Sequence, residues 1–241
     1  MGKVALCFSG LTGGEGGKDG AGKSLDLIEP YKSVKSNILD VNDVDIFMHS
    51  WSLESKSDLV KLYSPKKYQF EKQITFHESN FRKHVTKSRF YGNMMSLNLK
   101  KQYEIENNFT YDWVIISRFD LIWFSKLILE DYNNEYFYAS HWNDNGFNGL
   151  GPYDRQTSAG SGLLDFWFFS NSNNMNKFAE GCDLENINQF FNTAGGNNVI
   201  SGHRVSEYIV NTYKMKLKHT KYRGFDHEMY RRCMKSEWRV A

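Results

Sequence analysis

Residues 111–124 read YDWVIISRFDLIWF and decide the fold class of this chain. Residues 114–116 form a continuous apolar run, which is typical of a central parallel strand buried on both faces. Arg118 and Asp120 follow where that strand should end, and because side chains alternate along a strand, the two charges should point the same way. Two interpretations are open for them. They form either a site for a metal-bound phosphate ligand at the mouth of the sheet, or a simple ion pair covering the sheet edge.

The bulk composition limits the class of protein. The chain has 241 residues, enough for one large α/β domain with a sizeable core or for two small domains. Its formal net charge is +2 and no lysine-rich arm is present, which argues against a nucleic-acid partner. Aromatic residues make up 16% of the chain, which is enough to supply both a core and stacking platforms for sugars or bases.

The cysteine pattern and the apolar runs point to a cytoplasmic location. Cys7, Cys182 and Cys233 are scattered and lack metal-site spacing, so we expect reduced thiols. No apolar run approaches the roughly 20 residues of a membrane span, so no transmembrane segment is expected. The opening MGKVALCFSG is too short and too soon interrupted by glycine for a signal peptide, and instead indicates a first strand.

Alternating strand and helix patterns in the first half predict a Rossmann-like α/β sheet. The predicted strands there are 4–9, 44–48, 68–70 and the one ending at Arg118, and the predicted helices are 30–39, 53–62 and 79–107. Ligands of such sheets bind at the carboxyl ends of the strands. That rule puts five residues around one crevice: Ser9, Gly10, His49, Arg118 and Asp120.

The second half has a mixed pattern. We expect strands at 136–140, 162–169 and 215–219 and helices at 173–181 and 203–213. The whole chain, 1–241, is therefore predicted to be a single domain, with a nucleotide-binding half at 1–124 and an acceptor-side half at 125–241. In the long first-half helix, a stripe with spacing of four predicts core packing by Tyr91, Met95, Leu99 and Tyr103.

Residues 17–24, GKDGAGKS, match the P-loop pattern GxxxxGK[ST] letter by letter. Two features of the context oppose a P-loop. Six residues, 11–16, separate the pattern from the first strand, and a helix starting at Lys23 would carry Pro30 in its interior at a cost of about 3 kcal/mol. The favoured interpretation is a surface loop or one that covers the substrate, and a further option is a loop that closes over a diphosphate without P-loop geometry. A P-loop phosphotransferase or sulfotransferase using Lys23 and Ser24 remains the alternative.

Four segments in order carry a family resemblance. They are KVALCFSG near the start, DVDIFMHSW at 43–51, the long stretch 88–123, and GLLDFWFFSNSNNMNKF at 162–178. The set resembles glycosyltransferases of the GT-A type from bacterial surface-polysaccharide loci and large viruses, including the WavE-like group of lipopolysaccharide synthesis. The resemblance covers most of the chain up to about residue 210.

The resemblance implies transfer of a sugar from a nucleotide-diphosphate donor to a glycan or lipid-linked acceptor, with Mn²⁺ or Mg²⁺ as cofactor. The family's DxD motif holds the metal, and the matching segment here is Arg118-Phe119-Asp120. Arginine replaces the first acid. Either Asp120 binds the metal while Arg118 contacts phosphate, or Arg118 carries more of the phosphate neutralisation and the metal is weak or absent. A degenerate transferase fold that only binds glycans is a further alternative.

Two acids are candidates for the catalytic base that such a transfer needs. Asp165 lies in an otherwise apolar run, so it either acts on the acceptor or is a buried acid bonded to backbone amides. Glu207 shares a predicted helix face with His203, four residues earlier. It is an alternative base, or part of a solvated helix face.

Several further residues have two interpretations each. Ser9 and Gly10 would let a nucleotide approach the backbone, and His49 with Trp51 would contact the nucleotide or sugar, or else pack under the loop. Residues 143–149 predict an acceptor-side loop or a plain turn. Trp142 and Trp167 stack on a sugar or pack in the core, and His219 is a possible nitrogen ligand for a metal.

Overall fold

A seven-stranded sheet forms the centre of the protein in this computed structural model, which describes residues 2–12, 25–78, 80–141, 162–193 and 200–230. The strands in these ranges are β1 (Lys3–Ser9), β2 (Asp43–Ser50), β3 (Lys67–Phe70), β4 (Trp113–Arg118), β5 (Leu121–Trp123), β6 (Phe137–His141), β7 (Leu164–Ser170), β8 (Leu217–Tyr222) and β9 (His227–Met229). The α-helices are α1 (Ile28–Asn37), α2 (Lys56–Tyr63), α3 (Phe81–Asn107), α4 (Ser172–Gly181), α5 (Leu184–Phe191) and α6 (Gly202–Thr212).

The strand order in the main sheet is β3-β2-β1-β4-β7-β6-β8. Strands β1 to β4 are parallel, β7 pairs antiparallel with both β4 and β6, and β8 is parallel to β6. Strand β7 is therefore the single reversed strand of this sheet. Strands β5 and β9 pair antiparallel as a separate two-stranded sheet. This arrangement confirms the predicted Rossmann-like α/β class with flanking helices and a mixed second half.

Two apolar cores lie on the opposite faces of the sheet, and β1 shows the alternation that builds them. Its residues Ala5 and Cys7 belong to the core under α3 to α6, while its residues Leu6 and Phe8 belong to the core that includes Val34 of α1. All four are fully buried. A central strand with apolar side chains on both faces is what a sheet covered by helices requires.

Helix α3 runs along one face of the sheet and is capped at both ends. The Asn80 side chain accepts a hydrogen bond from the Arg82 backbone amide, and Asn108 ends the helix in the left-handed conformation with φ of 53°. The second turn and the middle of α3 reach the carboxyl ends of the parallel strands. Its last turns cover their amino ends, where buried Lys100 bonds to Glu104.

The predicted stripe on α3 is only partly correct. Leu99 and Tyr103 pack against the core, but Tyr91 instead bonds to Glu71 at the edge of the sheet. The deeper stripe of this helix carries polar side chains among the apolar ones, including Asn93 and Lys100.

Among the α-helices and strands of the described residues, α5, β5 and β9 were not predicted from the sequence. The other predicted strands and helices are present with ends shifted by a few residues, and α1 begins at Ile28 with Pro30 in its first turn. Cys7 and Cys182 are buried free thiols, whereas Cys233 lies outside the described residues. Within the described ranges, no helix combines the length and apolarity needed to cross a bilayer.

Candidate functional site

A crevice of about 310 Å³ opens at the carboxyl ends of β1, β2 and β4, on the face of the sheet that α3 covers. The lining residues come from the ends of β1, β2 and β4 and the residues just after them, from the segment after β3, from the second and third turns of α3, and from the starts of β7 and α6. They are Gly10, Leu11, His49, Trp51, Gln73, Val85, Thr86, Ser88, Arg89, Gly92, Arg118, Asp165 and Gly202. The position agrees with the edge of the sheet predicted from the sequence.

The crevice lies where the strand order reverses. The chain runs from β1 outward to β2 and β3, and then returns to place β4 on the other side of β1. Ser9 at the end of β1 is directly paired with Arg118 at the end of β4. Open α/β sheets bind ligands at such a reversal, because the loops leaving the two strands diverge there and leave a gap.

Gly10 lines this gap, while Ser9 lies just beneath it. Gly10 has a φ of 115°, which favours glycine, and its carbonyl accepts a hydrogen bond from Ser50 Oγ at 2.8 Å. The Ser9 hydroxyl donates to Asn93 Oδ1 of α3 at 2.6 Å and is almost fully buried. The backbone of Gly10 is thus available to a ligand in the crevice, whereas the Ser9 side chain links β1 to α3.

Arg118 and Asp120 form a two-point ion pair. Nε and Nη2 of Arg118 donate to the two carboxylate oxygens of Asp120, each at 2.7 Å. Asp120 lies in the turn after β4 and is fully buried, whereas Arg118 lines the crevice. The pair therefore presents a guanidinium to the crevice and keeps its carboxylate behind it.

This arrangement does not fit a Mn²⁺ or Mg²⁺ site. Such ions are commonly held by one or two carboxylates together with phosphate oxygens and water, so the engagement of Asp120 decides the fit. Both oxygens of Asp120 already accept hydrogen bonds from Arg118, and the described ranges contain no group of three or more His, Cys, Asp or Glu side chains able to hold a metal. His219, the other predicted ligand, is exposed on β8; its ring lies 5.3 Å from that of His141, and its Nδ1 lies 3.3 Å from the Ser140 carbonyl oxygen.

The reversed direction of β7 brings Asp165 to the crevice. Because β7 is antiparallel to β4, its beginning lies at the same sheet edge as the end of β4. Asp165 Oδ1 is 3.1 Å from His203 Nδ1, near the start of α6. Burial favours the neutral acid, but His203 and the two nearby arginines hold the pKa of Asp165 well below its ordinary value.

The same contact affects His203. Burial disfavours its charged form, yet the Asp165 carboxylate raises the pKa of His203 above its ordinary value. His203 Nδ1 also lies 3.1 Å from the Leu163 carbonyl oxygen and 3.2 Å from the Asp165 backbone nitrogen, so this ring nitrogen donates to an oxygen or accepts from the amide according to the tautomer. Asp165 and His203 therefore titrate as a coupled pair in which the carboxylate stays ionised at neutral pH.

Arg89 is a second guanidinium in the crevice, and the sequence analysis did not single it out. It extends from α3, and its Nη2 donates to the backbone carbonyl of Asp165 at 2.6 Å. Burial, together with repulsion from Arg118, lowers the pKa of Arg89 to about 10. Arg89 lies two turns before the core residue Leu97, so its position on the inner side of α3 could have been predicted from the helical period. Which part of that helix borders the crevice is seen only in the packed structure.

The rim of the crevice holds an aromatic cluster centred on Glu71. Glu71 Oε1 accepts hydrogen bonds from His49 Nε2 at 2.9 Å and Tyr91 Oη at 2.9 Å, with Trp51 Nε1 at 3.4 Å. The Trp51 and Tyr91 rings stack with centroids 5.6 Å apart. Burial lowers the pKa of His49 against the opposing effect of Glu71, so His49 is neutral at pH 7.

Buried polar atoms without partners concentrate at this crevice. In the described part of the chain, seven buried side-chain nitrogen and oxygen atoms have no hydrogen-bond partner. Four of them belong to crevice residues or their neighbour: Thr12 Oγ1, His49 Nδ1, Ser88 Oγ and Arg89 Nε. Since buried polar groups are normally paired, these four atoms are places where water or a polar ligand would bond.

No protein-family model and no curated protein matched this chain in the comparisons.

The remaining predicted residues lie elsewhere. Glu207 is exposed on α6 and does not line the crevice. Trp167 is fully buried in a core, which agrees with its packing interpretation. The P-loop pattern at 17–24, Trp142 and the loop 143–149 lie outside the described residues. The residues just after the P-loop pattern are not helical, because α1 starts only at Ile28.

Proposed function

We propose that this protein is a glycosyltransferase that moves a sugar from a nucleotide-diphosphate donor to a glycan or a lipid-linked acceptor. The observation that carries the proposal is the crevice at the strand reversal with the Arg118 guanidinium in its wall. The resemblance of four ordered sequence segments to GT-A glycosyltransferases supports the same reaction.

The donor diphosphate would lie against Arg118 and the backbone of Gly10. Departure of the nucleoside diphosphate develops negative charge on its terminal phosphate, and a fixed guanidinium in a partly dry crevice stabilises that charge. Asp120 would act as a positioning residue, because its two hydrogen bonds fix the plane of the Arg118 guanidinium. No step in this proposal passes through a metal, since the described side chains do not fit one.

The acceptor hydroxyl would approach Asp165. In the transfer, the anomeric carbon gains a bond to the acceptor oxygen and loses its bond to the diphosphate oxygen, which keeps the electron pair. The acceptor proton goes to Asp165, which is ionised as a base must be. The low pKa of Asp165 makes this carboxylate a weak base. Proton transfer from the acceptor therefore depends on His203, which shares the titration of the pair. Glu207 has no chemical role in this proposal.

The proposal places the reaction in the cytoplasm and gives the protein no nucleic-acid partner. The buried free thiols Cys7 and Cys182 suit a reducing compartment. The near-neutral formal charge of +2 suits small anionic substrates better than a nucleic-acid backbone.

The test is thermal stability with a panel of UDP-, GDP-, CMP- and dTDP-sugars, each with Mn²⁺, with Mg²⁺ and with EDTA, beside ATP with Mg²⁺. A ligand well above its dissociation constant should raise Tm by several degrees. A shift with one sugar nucleotide, lost in Arg118→Gln and kept in the exposed control Arg82→Gln, supports the transferase. Incubation of that nucleotide with candidate acceptors then checks turnover.

Other outcomes contradict the proposal. A shift with ATP alone, lost in Lys23→Ala, would favour the P-loop alternative. Absence of any shift with all the nucleotides would favour a glycan-binding module without catalysis.

A further inference from the structure

Arg89 is a cation of the crevice without a matching anion. Its guanidinium has five N–H donors, yet in the described residues it makes one hydrogen bond, from Nη2 to the carbonyl of Asp165 at 2.6 Å. Nε is buried with no partner. No carboxylate of the described chain lies within ion-pair distance of it, although two lie close by.

The two nearby carboxylates are committed to other cations. Asp120 is held by Arg118 through both of its oxygens, and Asp165 Oδ1 lies 3.1 Å from His203 Nδ1. At the rim, Glu71 is engaged by His49, Tyr91 and Gln69. Each acid of the crevice thus has its own partners, and the charge of Arg89 is left over.

Arg89 is partly buried, and a charge taken partly out of water without a counter-ion is costly, so a protein retains one only where something compensates for the cost. The lowered pKa of Arg89 has the same origin, because burial and the second guanidinium both oppose its charge. Two guanidinium groups that face one small crevice repel each other when it is empty. An anion with several oxygens relieves both the repulsion and the missing hydrogen bonds.

We propose that Arg89 and Arg118 together bind the diphosphate of the ligand without a divalent metal, Arg89 supplying the free guanidinium and Arg118 the one fixed by Asp120. The inference rests on the proposed function, which it deepens by naming the group that neutralises the donor. Diphosphate fits better than a carboxylate ligand, because it carries more than one charge and enough oxygens for two planar forks. Inorganic pyrophosphate and a nucleoside diphosphate share this chemistry.

The test measures binding of inorganic pyrophosphate and of UDP and GDP by titration calorimetry in EDTA, with native protein, Arg89→Gln and Arg82→Gln. Arg82 is the matched control, since it lies on the same helix but is exposed. We expect native protein to bind pyrophosphate in EDTA, Arg89→Gln to lose about 10- to 100-fold in affinity, and Arg82→Gln to bind normally. A base-dependent gain of UDP or GDP over pyrophosphate identifies the nucleotide as the source of the diphosphate.

A second readout separates this role from a structural one. Removing a partly buried charge that has no counter-ion should leave Tm of the anion-free protein unchanged or higher in Arg89→Gln. A structural arginine would instead lower it. If Arg89→Gln fails to fold, Arg89→Lys keeps the charge and loses the planar fork, and it should bind pyrophosphate with intermediate affinity.

The inference is overturned if pyrophosphate binds native protein only when Mg²⁺ or Mn²⁺ is added, or if Arg89→Gln binds it as well as native protein does. In either case a sugar nucleotide that still binds and reacts leaves the proposed function intact. Conversely, pyrophosphate binding that depends on Arg89, in a protein that binds no sugar nucleotide, would support the anion site and contradict the proposed transferase function.

Discussion

Gly202, the first residue of α6, packs directly against the Asp165 side chain, so that a β-carbon at position 202 would collide with Asp165 Oδ2. The backbone of α6 therefore forms one wall of the pocket for this carboxylate. Gly202 and Asp165 are 37 positions apart in the sequence. Their contact keeps the Asp165 carboxylate close to His203 and at the crevice.

Replacing Gly202 with alanine should displace the Asp165 carboxylate. Overpacking of this kind costs about 1–3 kcal/mol. We expect a lower urea midpoint and weaker ligand binding together, measured by equilibrium unfolding and by calorimetry. If the urea midpoint and the ligand affinity are both unchanged, the backbone of α6 accommodates the methyl group without loss of stability, and α6 does not fix the position of Asp165.

Gly92→Ala offers a contrasting case on the other side of the crevice. A β-carbon at this position of α3 would lie 3.5 Å from His49 Nδ1 and 3.6 Å from Ser9 Cβ, which are ordinary contacts. Alanine in a helix interior is more favourable than glycine by about 0.5–1 kcal/mol. We therefore expect higher stability but weaker ligand binding, because the new methyl narrows the crevice. Ligand affinity equal to that of native protein would show that the ligand does not reach Gly92.

Arg118 and Asp120 should behave as one unit in a double-mutant cycle. Removing one member leaves the other buried and unpaired, so Arg118→Leu and Asp120→Leu should each lower the free energy of unfolding by about 3–5 kcal/mol. The double variant should lose clearly less than the sum of the two. Urea unfolding of the four proteins gives the coupling energy. Strict additivity would show that the ion pair adds nothing to the stability.

His227 should make the protein less stable in acid. It is fully buried between Trp123 and Trp167, and burial lowers its pKa from 6.5 to about 3. Below pH 6.5 this histidine is protonated in the unfolded chain but stays neutral in the native protein. The free energy of unfolding therefore falls with falling pH, by at most about 1.4 kcal/mol per pH unit. The decrease ends as the pH approaches the pKa of His227 in the folded protein. His227→Phe should flatten unfolding free energy against pH between 6.5 and 3. The exposed His77→Phe is the control and should leave the slope unchanged.

His203 should have the opposite effect. Its pKa is raised in the folded protein, so the stability it contributes is fully present below 6.5, its ordinary value, and is lost as pH rises through the raised value. His203→Gln should remove this loss from the unfolding curves above pH 6.5. A profile identical to that of native protein would show that Asp165 and His203 are not coupled in solution.

Much of the fold could be predicted from short-range pattern. The apolar run at 114–116 identified the central strand, and strand ends following the same rule located Gly10, His49 and Arg118 at one edge. Helix α5 was missed although its signal was present, since Asp183 caps it and Ile187, Phe190 and Phe191 form its buried face. Strands β5 and β9 have three residues each, too few for any periodicity to register.

The site itself depends on long-range packing. The sequence suggested that Arg118 and Asp120 lie together, and they do, but their direct pairing rather than a shared ligand is a matter of side-chain geometry. The contact of Asp165 with His203 depends on β7 running against its neighbours. Arg89 borders the crevice only because α3 lies across the sheet at a particular rotation.

The central place of β1 in the sheet also bears on how the chain folds. Strand β1 pairs on one side with β2 and on the other with β4, where Val4 faces Trp113 across 109 positions of sequence. Contacts of such high order form slowly, because a long loop must close before they yield any gain. Until β4 arrives, one edge of a strand whose residues 4–8 are all apolar stays open to other chains. Truncation anywhere before residue 113 should therefore give aggregates rather than a smaller folded unit, whatever ligand is supplied.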